Sequence, residues 1–151
     1  MVIWEQIIKY ITKDYNIKTS NILLLMNIIK QFNCIVEDLL DQTTYLIGSK
    51  YLYNFKILIQ FNSVLPIDKF TSGMLPYKQY IMNKDEDFFM SSEIEFDGYN
   101  NIDYSDIIDL KKIFTNINEE SKENIWEILQ ALIMLCEERS KTKSTPRYSF
   151  W

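Results

Sequence analysis

Between residues 106 and 139 the chain reads DIIDLKKIFTNINEESKENIWEILQALIMLCEER, two amphipathic segments around a short polar turn. In the first, Ile107, Leu110, Ile113 and Phe114 recur at steps of three and four, the spacing that gathers side chains on one helical face. In the second, Ile125, Trp126, Leu129, Leu132, Ile133 and Cys136 do the same. Apolar stripes of that breadth have to be covered, so the rest of the chain must supply a surface for them. The ends agree with the interior. Asp103 or Ser105 is placed to cap the first helix, and Asn118 or Ser121 the second. Glu119, Glu120 and Glu123 crowd the second helix's first turn, and Arg139, Lys141 and Lys143 follow its end, both matched to the helix dipole. Leu110, Phe114, Trp126, Leu129, Leu132 and Ile133 are therefore expected in the core, with Trp126 as a packing pin rather than a partner-facing anchor.

Upstream, residues 2–15 set Trp4, Ile7, Ile8 and Ile11 on one face. Thr19 or Ser20 can cap a following helix that carries Ile22, Leu25, Met26, Ile29, Phe32 and Val36. Its apolar residues run nearly all the way round at 22–29, which predicts a buried central helix with Leu25 and Ile29 in the core. Glu37, Asp38 and Asp41 are unfavourable at a helix C-terminus, and a break near Asn33-Cys34 would make them ordinary surface charges. Residues 43–61 are ambiguous. YLYNFKILIQF has the composition of a strand, yet Leu52, Phe55, Leu58 and Ile59 share a helical face. A lone strand pair fits poorly among helices, so helix is preferred, with a short β-hairpin near 43–61 as the alternative. The aromatic residues of this stretch are expected in the core. Gly48 marks a turn, Pro66 closes the segment, and Pro76 opens the first turn of a later helix.

The chain has 151 residues, the size of one domain. Only three glycines occur, too few for the tight turns of a sandwich or barrel. These features predict an all-α bundle of about six to eight helices, as a single domain over 1–139 with a basic aromatic tail over 140–151. Ile, Lys, Asn, Tyr and Phe are abundant while Ala occurs once, at Ala131, an accent typical of an AT-rich genome.

Composition also excludes chemistry. There is no histidine, hence neither the commonest general base nor the commonest metal ligand. Two separated cysteines, Cys34 and Cys136, cannot close a zinc site. Both lie among apolar neighbours and are expected to behave as small buried hydrophobes, reduced, in a cytosolic setting. Gly-rich phosphate loops and nucleophile elbows are absent. No cofactor and no metal are expected.

Charge is uneven. Residues 1–82 hold eight lysines and six acids, a net +2; residues 83–138 hold four lysines and fifteen acids, a net −11; the tail from Arg139 is +4. Phosphate binding needs a basic stripe and the body offers none, so no nucleic-acid partner is expected. No run approaches the ~18 apolar residues of a membrane span, and the opening MVIWEQIIKYITKDY lacks the plan of a signal peptide. A protein that is not secreted and has no membrane span is expected.

The candidate partner-binding residues flank the central pair. Asp85, Glu86 and Asp87 form an acidic turn; alternate carboxylates can share a divalent cation, but a solvated turn ahead of Phe88 and Phe89 is the plainer reading. The connection SSEIEFDGYNNIDY, with Glu93, Glu95 and Asp97, reads as an exposed loop. The tail KTKSTPRYSFW ends in Tyr148, Phe150 and Trp151, either a frayed end or a short docking motif.

Two of these stretches occur in a familiar combination. NKDEDFF at 83–89, after Pro76-Tyr77 and Ile81, and LKKIFTNINEESKENIWEILQALIML at 110–135 resemble elements of a family of small uncharacterised proteins of giant nucleocytoplasmic large DNA viruses, mimivirus relatives among them. The resemblance spans roughly residues 76–136. It departs from the pattern at Ile128, where an aromatic is expected, and at Phe114, where Trp is common. A poxvirus Bcl-2-like helical protein is the runner-up. The resemblance implies a viral origin and no assigned activity. The expectation is a non-enzymatic protein that binds a protein partner, host or viral, in the host cytoplasm or the virion. The alternative is a structural or minor virion or capsid-associated component, and after it a small metal-dependent enzyme or accessory subunit that uses acidic residues; among partners, a homo-oligomer is also considered.

Overall fold

The computed structural model describes residues 19–91 and 108–143. The helix expected over 2–15, most of the acidic connection, Ile107, the candidate caps Asp103 and Ser105, and the tail residues Tyr148, Phe150 and Trp151 lie outside the described residues. Within them the chain forms α-helices, one 3-10 turn and no strand, so the all-α expectation holds.

Helix α1 covers Thr19–Gln42. Thr19 and Ser20 are already helical, rather than standing before the first turn. No break occurs at Asn33. The amide of Asn33 does not compete with its own backbone; its Nδ2 donates to the Ser63 carbonyl oxygen at 2.8 Å, thirty residues on. The acidic end survives because the last carbonyls find donors. Thr43 Oγ1 donates to the Leu39 carbonyl oxygen at 2.7 Å and Thr44 Oγ1 to that of Leu40 at 2.9 Å. Such hydroxyls satisfy groups that a helix end leaves open.

Residues 44–47 and 50–61 are helical, which removes the β-hairpin. The short α2 (Thr44–Ile47) leads through Gly48 into α3 (Lys50–Phe61). Gly48 has φ 89° with open space where a Cβ would stand, so the demand for glycine there is conformational rather than steric. Phe55 is buried and Leu52, Leu58 and Ile59 pack against the core, so the 3–4 spacing decides the conformation over the strand-like composition. The aromatics of this stretch are not all core, however. Tyr53 and Phe61 are 66% and 85% exposed, because they lie off the face that Phe55 defines.

Helix α3 ends at Phe61, and Pro66 falls in the first turn of α4 (Leu65–Met74) rather than closing the segment before it. Proline is tolerated there because its missing N–H has no helical partner to lose. Pro76 sits in the 3-10 turn Leu75–Tyr77, which runs into α5 (Lys78–Met82). Then come α6 (Glu86–Ser91), α7 (Leu110–Asn116) and α8 (Glu119–Lys143). Asp109 caps α7, its carboxylate accepting from the Lys112 N–H at 3.1 Å. Asn118 caps α8 through the Ser121 N–H at 2.8 Å. Helix α8 runs through Lys143, so Arg139, Lys141 and Lys143 belong to it rather than following it.

The core lies where α8 meets α1 and α4. Leu110, Ile113, Phe114, Trp126, Leu129, Leu132 and Ile133 are all buried. From α1 they meet Ile28, Phe32, Val36, Leu39 and Leu40. The buried part of α1 is therefore displaced toward its C-terminal half. Leu25 and Ile29, expected in the core, are only half-buried, and Leu24 and Met26 are exposed. An all-round apolar sequence did not become an all-round buried helix, because the described residues cover α1 on one side only at that level. A void of about 10 Å³ between Phe32, Phe70, Ile108 and Leu132 has apolar walls and no partner for a water molecule.

Candidate functional site

Two surfaces contain the residues that sequence reasoning singled out or passed over. The first is the side of α8 that faces α4, α5 and α6. There the NKDEDFF stretch is structural. Lys84 adopts φ 55°, a left-handed turn that costs a non-glycine residue roughly 1 kcal/mol. It reverses the chain so that the Asp85 N–H reaches the Tyr80 carbonyl oxygen at 2.9 Å. Asp85 then caps α6 by accepting from the Phe88 N–H at 3.0 Å. Glu86 pairs with Lys122 Nζ at 2.8 Å, and Lys84 pairs with Glu123 at 2.6 Å. The bond to Glu86, against partial burial and helped by Glu119, raises the Lys122 ammonium above the ordinary lysine value. Asp87 is exposed.

Behind this turn Phe88 stacks on Tyr80 with ring centroids 3.8 Å apart, and Phe89 leans on Trp126 at 5.6 Å. Trp126 in turn meets Phe114 at 4.8 Å. Further along α8, Gln130 Nε2 donates to the Ile81 carbonyl oxygen at 3.3 Å, Lys78 pairs with Glu137 at 2.7 Å, and Arg139 pairs with Asp68 at 2.5 Å. The polar groups of this side are thus largely committed to one another. Among the described residues no group of three or more Cys, Asp or Glu is arranged to hold a metal ion.

The second surface is an open groove of about 320 Å³ on the other side of α1. One wall is a stripe of α1: Met26, Ile29, Lys30, Asn33, Cys34 and Glu37, at alternating steps of three and one. The stripe lies roughly a third of a turn round the helix from Ile28, Phe32 and Val36, at 3.6 residues per turn. The opposite wall is Ile59 of α3 with Ser63 beyond its end. Asn33 is 7% exposed and its Nδ2 holds the Ser63 carbonyl, but among the described residues its Oδ1 accepts no hydrogen bond. An acceptor buried without a donor costs about 1–3 kcal/mol, so this is a polar defect beneath a groove of mixed lining. At one end Glu37 faces Lys56 of α3 at 3.7 Å; Lys30 stands exposed at the other.

Sequence reasoning misses the groove because it assigns the groove's residues elsewhere, Ile29 to the core and Cys34 to the buried hydrophobes. Cys34 is exposed, whereas Cys136 is buried. Burial, only partly opposed by the Thr71 hydroxyl and the Arg139 charge, pushes the Cys136 thiol up to about 11. The signal that could have found the groove is the same 3–4 spacing that found the core, applied to a mixed apolar and charged stripe rather than to apolar residues alone. No described helix is long and apolar enough to cross a membrane. Comparison with protein-family models, with curated proteins and with solved structures finds no match to this chain.

Proposed function

We propose that this is a non-enzymatic protein that works by binding another protein, and that the α1–α3 groove is its docking surface. The observation that carries this reading is the contrast in polar satisfaction. On the side of α8 that faces α4, α5 and α6, Lys122, Glu123, Glu137 and Arg139 have partners within the fold, while the groove combines the apolar Met26, Ile29 and Ile59 with an exposed thiol and a buried amide oxygen without a donor among the described residues. Apolar patches rimmed by polar groups mark interaction sites on soluble domains, and a groove between helices suits an amphipathic helix laid along it. In the viral setting that the resemblance implies, the partner is a host or viral protein met in the host cytoplasm or the virion.

Affinity capture from infected cells, followed by mass spectrometry, tests the reading on wild type and on Ile59→Glu. A charge at Ile59 spoils the apolar wall; because Ile59 also packs against the core, Met26→Glu, at an exposed position of the opposite wall, is captured beside it and should lose the same partners. The expected result is loss of the specific partners from the Ile59→Glu sample, with the helical circular dichroism signal unchanged. An identical partner list for wild type and both variants overturns the assignment of the groove.

A further inference from the structure

We draw no further inference here: the strongest candidate, the open groove between α1 and α3 lined by Met26, Ile29, Cys34 and Ile59, is the docking surface already proposed, and nothing in the structure shows what covers it.

Discussion

Helices α8 and α1 are both long, both amphipathic and pressed against each other, yet their second sides are treated in opposite ways. The far side of α8 is held by ion pairs from Lys78, Lys84, Glu86 and Asp68 and by the ring cluster around Phe88 and Phe89. The far side of α1 carries the groove, with the Glu37–Lys56 pair at its end and a buried amide oxygen that has no donor among the described residues. The exposed ion pairs of α8 contribute little individually, about 0–1 kcal/mol. Their lesson is negative: a surface that spends its polar groups internally offers few to a partner. Function is best sought on the side where that has not happened.

Substitutions sharpen this contrast. Trp126→Ala, on the α8 side, should have the largest effect. It removes a side chain that is 3% exposed and in contact with Phe89 and Phe114, and such truncations cost about 3–5 kcal/mol. Urea denaturation should show the midpoint falling sharply; a loss below about 1 kcal/mol would mean that Trp126 is not the pin of the core.

The two cysteines give the next largest effect. Below pH 9.0 folded and unfolded chains both keep the Cys136 proton. Between 9.0 and about 11 only the unfolded chain releases it, so stability falls as pH rises through that window, by about 1.4 kcal/mol per unit. A Cys136→Ala protein should lack this part of the alkaline decline. In the native state a thiol reagent should modify Cys34 alone, and both cysteines only after unfolding. Native labelling of both would break the contrast between the two sides.

The smallest effect belongs to the groove. Lys30→Ser should change the unfolding free energy by less than about 0.5 kcal/mol, the usual range for surface positions. A loss of several kcal/mol would show that the stripe serves folding rather than binding.

Much of the α8 side was legible in the sequence. Leu110, Phe114, Trp126, Leu129, Leu132 and Ile133 repeat at helical spacing and all are buried, because a strong periodic stripe between good caps leaves the chain little choice. The upstream half was less legible for a physical reason. Residues 22–29 are apolar on nearly every side, so periodicity cannot say which side is covered, and only the tertiary neighbours decide. The same ambiguity hid Cys34. Whether the helix breaks at Asn33 stayed open for a related reason: the donor role of its amide depends on Ser63, a partner thirty residues away that no local window includes. Of the acidic turn only Asp87 is exposed; Asp85 and Glu86 are half-buried, and the capping by Asp85 and the pairing of Glu86 with Lys122 require the Lys84 turn, which composition does not announce.

That same bond between Asn33 and Ser63 bears on affinity. It ties the middle of α1 to the chain just beyond α3, so the groove's walls are braced by a strut in its own floor. A site braced from within loses little conformational freedom when it is filled, and less of the gross contact energy is consumed in ordering it. A modest apolar contact area can then hold a partner that a looser pair of helices would release, and severing the strut would weaken binding without removing any contact.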